Sequence, residues 1–523
     1  MRFSTIGKWS LRAGGVITVL ILLAVAVLFI LINRDVDRVY GGQTGVAGHA
    51  PFQAEAKPTA ITHVSVLSPD GTEMLANRTV LLENGEIVSV APDGEVPDGM
   101  FVIDGEGKFL IPGLIDSHVH LQRSPNDLLL YVANGVTQIR SMGGSDADLA
   151  LKREIENGRI GPRFYVSSTA MASATGLTSA GPDWFSGPVA IWFAELAFNM
   201  HSTSSSEQAA EDARSFIQKG YDGIKLYGFL DMDSYRAILD VADELDVPSA
   251  GHLPDAMPLS ELRTTKLREI AHIEEIVKGL LLEFGSFRSQ GGEAFIEFVE
   301  SRKAEIISDL VANDVAVHST LWLTESFKKQ VFDLEAALAE VPLEYANPGI
   351  VEGNSVLGLG WLPARNKFHT YAGNTPEEIA RNKAFWDARE EAHHILLKAM
   401  VEGGVTVLAG TDANAWLTIP GFSLHDELQS LSRAGMSPAQ AIYAATAAPA
   451  QIIRNNAGII ETGRRADLVL LNENPLTDIE NTTSIDTVIL NGRILDRAQL
   501  DAMLEAVRET NAESRKFDLE LYQ

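Results

Sequence analysis

Two histidines two residues apart, His118 and His120, close the run Ile111-Pro112-Gly113-Leu114-Ile115-Asp116-Ser117-His118-Val119-His120. Leu114 to His120 reads as a β-strand. Alternate side chains of a strand share a face, so both imidazoles point one way and Val119 the other. Neutral imidazole is the commonest metal ligand, and Zn²⁺ accepts it readily. A His-x-His pair alone is a weak signal, and its weight depends on what else the chain delivers. Four further groups end or line short apolar runs. They are Lys225 in Asp222-Gly223-Ile224-Lys225-Leu226-Tyr227, His252 after Pro248-Ser249-Ala250-Gly251, His272 after Ile270-Ala271, and Asp412 after Leu408-Ala409-Gly410-Thr411. Each has an ordinary explanation: a hydrogen-bonded strand histidine, a snorkelling lysine, an aspartate capping the next turn. All of them arriving on one face is hard to obtain by chance.

The elements that must position these groups alternate strand and helix. Candidate strands are Leu114–His120, Val136–Met142, Arg163–Ser168, Gly223–Tyr227, Val247–His252, Glu269–Ile273, Val315–Thr320 and Val405–Thr411. Helix signals lie between them. Ser124-Pro125 reads as N-cap and first helical residue, with Gly135 as the stop. Thr375-Pro376-Glu377-Glu378 reads as a capping box, and Ser437-Pro438 precedes the apolar-periodic Ala439–Ala447. Eight β-then-α units predict an α/β protein built as a (β/α)8 barrel, whose active site lies at the carboxyl ends of its strands. Asn84-Gly85 and Asp70-Gly71 separate short strands early in the chain, and Asn491-Gly492 follows another late one; such pairs are hairpin signals. Both chain ends are therefore expected to meet in one small β-sandwich, with the barrel inserted between them.

The 523 residues contain no cysteine, which excludes disulfides, thiolate nucleophiles and cysteine-ligated zinc. Any metal must be held by histidine, carboxylate or modified lysine. A formal charge of −28 argues against nucleic acid as a partner. Ala13 to Ile32 is an apolar run long enough, at ~1.5 Å per residue, to cross a ~30 Å hydrocarbon core. Arg2, Lys8 and Arg12 precede it, which places the start in the cytoplasm and everything after Arg34 outside, in the periplasm of a bacterium. A cleaved signal peptide is the competing reading, but its apolar core is usually ~7–15 residues with a cleavage site close behind. The expected organisation is a cytoplasmic start and transmembrane anchor (1–34), a tether (35–57), a composite sandwich (58–111 and 458–497), the barrel (112–457) and a C-terminal helix (498–523). That last helix carries Leu500, Met503, Leu504 and Val507 on one face.

The run Pro112 to His120, Gly410-Thr411-Asp412 and Gly463-Arg464-Arg465-Ala466-Asp467-Leu468-Val469-Leu470 together resemble the amidohydrolase superfamily, in the branch containing imidazolonepropionase and the metal-dependent Xaa-Pro dipeptidases. The likeness extends roughly from Ile61 to Leu495. It implies two Zn²⁺ ions per chain. His118, His120 and Asp412 would hold one and His252 and His272 the other, with Lys225, carboxylated on its amine, bridging them as an anionic oxygen ligand. An ordinary ammonium would be repelled there. Two metals ~3.5–4 Å apart share a water, depress its pKa and make hydroxide available at neutral pH. Asp412 would take the proton from that nucleophile and pass it to a leaving amine. Tyr227 shares a strand face with Lys225, and its phenol could hydrogen-bond the carbonyl under attack.

The expected activity is hydrolysis of a C–N bond in a small molecule, a dipeptide or N-acyl amino acid. An esterase or lactonase using the same hydroxide, a single-metal deaminating type with unmodified Lys225, and an inert binding barrel are the alternatives. A homo-oligomer is compatible with the sequence. His318 either faces the substrate or packs; His393 and His394, in a helical run, and His425, ahead of a helix, are read as non-ligands. Ser141 stands where relatives often have Asp. Trp184, Phe185 and Trp192 after strand 3, and Phe327, Phe332, Tyr345, Trp361 and Phe368 between strands 7 and 8, are expected to wall an apolar pocket or simply to pack.

Overall fold

The computed structural model describes residues 5–53, 55–92, 94–179, 187–353, 359–519 and 522. Two parallel sheets form its centre. Leu114–Val119, Val136–Ser141 and Arg163–Val166 pair in that order. A second sheet runs Met200–Thr203, Ala170–Ser173, Ile224–Leu226, Ser249–Gly251, Glu269–Ile270, Ala316–His318 and Val407–Leu408. Isolated parallel bridges, Ser167 to Gly223 and Val119 to Ala413, join the two sheets at both ends. Every residue of Leu114–Val119 and Val136–Ser141 is buried. That is the pattern of parallel strands covered on both faces. The architecture is thus α/β. Several strands are shorter than expected, because the backbone leaves the ladder one or more residues before the polar groups it carries. His252 follows Ser249–Gly251, His272 precedes the helix Ile273–Phe284, and Asp412 lies four residues beyond Leu408. The pair Ala170–Ser173 and Met200–Thr203 was not anticipated.

Strands from early and late in the chain, expected as a small sandwich, pair in one hydrogen-bonded eight-stranded sheet. Leu468–Leu471 runs antiparallel to Phe109–Pro112, with Val469 opposite Ile111, and Thr59–Leu67 lies on the other side of that strand. Ile61, Val80, Leu82, Leu110, Leu468 and Ile489 fill its core. Asn84-Gly85 and Asn491-Gly492 sit at positive φ, as tight hairpin turns require.

The capping boxes at Thr375/Glu378 and Ser437/Gln440 are present, and they start Pro376–Gly403 and Pro438–Ala444. The Ser124-Pro125 expectation is corrected: the helix is Asp127–Ala133, because the Ser124 hydroxyl donates to the Asp127 carboxylate at 2.7 Å and shapes a turn instead. His425 lies inside Phe422–Arg433 rather than before it. The C-terminal helix is Arg497–Ser514, with Leu500, Met503 and Val507 buried and Leu504 partly so.

One helix, Thr5–Val39, occupies the amino terminus. Its segment Thr18–Val39, with mean hydropathy 2.5, is long and apolar enough to cross a membrane or to act as a signal sequence. Residues 35–57, expected as a tether, pack against the rest of the chain. The helix continues to Val39, where Val36 and Val39 are buried, and Ala47 and Phe52 reach the main core. Apolar residues in that stretch find complementary surface, so they do not stay in solvent. Trp184 and Phe185 lie outside the described residues. Of the remaining loop aromatics, Phe327 stacks on Phe368 at 4.8 Å, and Trp361 is 2% exposed in a satellite core, so packing accounts for these.

Candidate metal centre

The strand Leu114–Val119 brings His118 into the interior, fully buried, and His120 to the rim, about a third exposed. Asp412 arrives from the far end of the strand order. Its backbone has φ 60°, a left-handed conformation costly for a residue with a Cβ. The turn is held by hydrogen bonds. The Asp412 N–H donates to the His118 carbonyl at 2.7 Å, and the Ala415 N–H to the Asp412 carbonyl at 2.7 Å. Buried Asp116 clamps the same loop, accepting from the Thr411 N–H at 3.1 Å and hydroxyl at 2.7 Å. Gly410 lets the two strands approach, since a Cβ there would stand 2.8 Å from the His118 Cβ.

These contacts set one oxygen among imidazoles. Asp412 Oδ1 lies 2.9 Å from His120 Nε2 and 3.3 Å from His118 Nε2. Ligand atoms of His118, His272 and Asp412 all fall within 4.8 Å of one another. Ligands at ~2.0–2.1 Å from a tetrahedral Zn²⁺ stand about 3.3 Å apart, so the spacing suits a shared ion. His252 joins through its ring, 4.9 Å from that of His272, and Tyr227 sits 4.4 Å beyond it. Lys225, 1% exposed, lies on Ile224–Leu226, which pairs on one side with the strand that leads to His252.

The rings are aimed by their outer nitrogens. His118 Nδ1 donates to the Ala271 carbonyl at 3.0 Å, His252 Nδ1 to Glu275 Oε1 at 2.8 Å, and His272 Nδ1 meets Thr320 Oγ1 at 3.0 Å. Such partners set the tautomer that leaves Nε2 a lone pair for a metal. Thr320 is itself left-handed, at φ 43°, which is strained for a β-branched residue. His318 is buried and inward, with Nε2 2.9 Å from Glu269 Oε2 and its ring edge-on to His118 at 5.3 Å. Glu269 also receives both arms of the Arg140 guanidinium, at 2.7 and 2.8 Å. This fully buried set lies directly behind His118.

Burial lowers His118, His252 and His272, the last to about 3, which keeps them neutral and able to ligate. Burial would raise Asp412, yet His120 and the neighbouring His272 and Lys225 hold it at about 2, so it is a carboxylate. Burial takes Lys225 down to about 8 against the pull of Asp412, Glu275 and Glu269. Burial and the carboxylates of Asp412, Glu275 and Asp255 raise Tyr227 to about 12, so it is a hydrogen-bond donor. Three buried atoms of this cluster, His118 Nε2, Lys225 Nζ and Asp412 Oδ1, make no hydrogen bond of acceptable geometry, close as the imidazole nitrogens come to Asp412 Oδ1. Buried polar atoms are normally satisfied, and this orphaned cluster is what a cation-binding site presents without its ion.

The other histidines are engaged elsewhere. His393 Nε2 contacts Glu274 at 2.6 Å, His394 lies 3.7 Å from Glu325, and His425 bonds Thr482 and the Asn134 carbonyl. Sequence reasoning missed Glu275, Thr320, Asp116, Arg140 and Glu269. The available signal was a charge inside an apolar strand, as at Arg140 and Glu269. Ser141, the departure noted above, is buried, and its carbonyl accepts from Ser167.

Comparison with known proteins points the same way. The ochratoxinase of Aspergillus niger is 23% identical over 443 residues, covering 82% of this chain and 83% of that protein. Among solved structures, a bottromycin amidohydrolase superposes with TM-score 0.62 at 20% identity, covering 88% of this chain and 92% of its own. A Xaa-Pro dipeptidase with bound methionine in its active site gives TM-score 0.59 at 18% identity, covering 84% of this chain and 100% of its own. The family model described as amidohydrolase matches residues 109–495, from the strand preceding His118 to the returning strands of the composite sheet, and the chain belongs to the amidohydrolase family.

Proposed function

We propose that the protein is a metal-dependent hydrolase of C–N bonds, acting on the amide of a dipeptide or N-acyl amino acid. The observation that carries this reading is the orphaned buried cluster of His118 Nε2, Lys225 Nζ and Asp412 Oδ1. The two bridges joining the parallel sheets support reading them as one closed (β/α)8 barrel, with every one of these groups on its carboxyl rim. His118, His120 and Asp412 would hold one Zn²⁺, His252 and His272 a second, and carboxylated Lys225 would bridge them. Burial that lowers Lys225 enlarges the uncharged fraction of its amine. That form adds CO2, forming an N–C bond and releasing a proton to give the carbamate.

When bound, the metal pair supplies Lewis-acid polarisation of the amide carbonyl and an activated water. The chain's own groups do the rest. Asp412, ionised, accepts the proton of the attacking water on its carboxylate and returns it to the leaving nitrogen, which departs as neutral amine. Tyr227, protonated, donates its phenolic hydrogen to the oxygen on which negative charge grows. His252 and His272 are kept in register by Glu275 and Thr320. The amino-terminal helix is read as an uncleaved anchor, which leaves the catalytic domain outside the cytoplasm.

Elemental analysis of the purified chain, with a hydrolysis screen of dipeptides, N-acyl amino acids and matched esters, tests the proposal. Two equivalents of zinc and turnover of amides over esters are expected. A metal-loaded protein inert towards the whole panel refutes it. The mass of the Lys225 peptide, taken without acid, reads the carbamate separately.

A further inference from the structure

Which way the rim of the site faces follows from how the amino-terminal helix is docked. There is no slack between that helix and the catalytic domain. Asp37 pairs with Arg123 at 2.6 Å, Arg38 with buried Glu352, and the Arg123 N–H donates to the Tyr40 carbonyl at 2.9 Å. Arg123 lies three residues beyond His120, so the helix end is fastened to the rim that carries the metal ligands. The Tyr40 hydroxyl donates to the Ala197 carbonyl at 2.7 Å, in the helix Pro188–Phe198. Burial raises the Tyr40 phenol to about 12, and Tyr227 adds to that, so the two phenols are within electrostatic reach of each other.

The helix Pro188–Phe198 has a composition unlike a water-facing element. Val189 is 67% exposed, Phe198 55% and Trp192 37%. Its one charge, Glu195, is turned onto the Ser202 N–H at 3.0 Å and hydroxyl at 2.6 Å. Trp192 stacks on Phe29 at 5.4 Å with the rings 16° from parallel. Phe29 stands five residues before Arg34, the first charge after the apolar run, which at 1.5 Å per residue is about 7.5 Å inside the boundary. Interfacial helices settle at a depth of about 5–10 Å. On its inner side the same helix contributes Ala194 to a small cluster with Ala170, Ala172 and Met200, against which Tyr227 packs. Close-packed apolar contacts therefore link the exposed helix to the phenol beside the candidate ligands, and they place the helix at the edge of the site.

We infer that Pro188–Phe198 is a membrane-inserted lip of the active-site mouth, and that the substrate is an amide bearing a long acyl chain, drawn from the bilayer. This rests on the amide-hydrolase and anchor readings and narrows them to an amphiphile whose chain lies along the exposed Val189, Trp192 and Phe198 at the edge of the site. A polar amide arriving from bulk water gains nothing from that apolar surface.

Two readouts on the full chain reconstituted in phosphatidylcholine vesicles test it. The first needs no turnover: bromine-labelled phosphatidylcholine should quench a component of the tryptophan emission that is missing in Trp192→Phe. The second compares an N-dodecanoyl with an N-acetyl amino acid. Val189→Ser/Phe198→Ser, which takes two apolar side chains from the interface, should lower hydrolysis of the long-chain amide at least about tenfold and leave the acetyl amide unchanged. Absence of the Trp192 component overturns the lip. An unchanged ratio between the two amides overturns the acyl-chain substrate. Quenching with no hydrolysis of either amide overturns the substrate class through the failure of the amide-hydrolase reading, and that outcome is distinct from the other two.

Discussion

The Arg140–Glu269–His318 set gives the sharpest quantitative prediction, because it is wholly buried and sits behind the candidate ligand His118. Replacing Arg140 by Met removes a bidentate partner at 2.7 and 2.8 Å and leaves the Glu269 carboxylate with His318 alone. In the intact protein burial would raise Glu269, but Arg140 and His318 hold it at about 2, against an ordinary value of 4.5. At about 1.4 kcal/mol per tenfold in proton affinity, that gap corresponds to about 3 kcal/mol of stability at neutral pH. The figure agrees with the ~3–5 kcal/mol cost of breaking a buried ion pair by removing one partner. The sign with pH is defined. A lowered carboxyl contributes its stability above about pH 4.5 and loses it as pH falls through about 2. In Arg140→Met the desolvation that now dominates lifts the carboxyl above its ordinary value, so the variant becomes less stable as pH rises from 4.5. Urea unfolding of chelator-treated wild type and variant at a series of pH values measures both terms. The penalty should be largest near pH 7 and shrink on acidification, and Arg140→Met/Glu269→Leu should recover most of it. A variant as stable as wild type at pH 7, or a penalty that grows in acid, refutes the reasoning.

Three further outcomes are expected. Asp412→Asn should retain bound metal by elemental analysis while turnover falls by about 100-fold or more, since a positioned acid–base group is lost; near-normal turnover removes Asp412 from that role. Glu275→Gln and Thr320→Val should each weaken metal affinity about 10–100-fold in a chelator competition, because the rings of His252 and His272 lose the partners that aim them. Gly410→Ala sets a Cβ 2.8 Å from the His118 Cβ and 3.0 Å from its backbone nitrogen; about 1–3 kcal/mol of stability should be lost by urea unfolding, with metal affinity falling alongside.

Much of the centre was legible in the chain. Strand periodicity put His118 and His120 on one face, and short apolar runs ending in Lys225, His252, His272 and Asp412 announced a common rim. Local rules sufficed there, because the alternation of a strand and the capping chemistry at Thr375 and Ser437 depend only on near neighbours. What lay beyond reach depended on distant contacts. The partner of His118 is the carbonyl of Ala271, and the partner of Arg140 is Glu269, more than a hundred residues away. The left-handed turn at Asp412 is stabilised by Asp116 and His118 from almost the other end of the chain, so nothing in its own neighbourhood foretold it. The stretch 35–57 has the composition of a tether, and only the surface offered by Arg123, Asn347 and Glu352 turned it into a docked segment. Residue type and spacing along the chain determined which groups could ligate and on which face. Their aim and their charge state were decided by tertiary packing, because each is set by burial and by partners that the chain brings together only when folded.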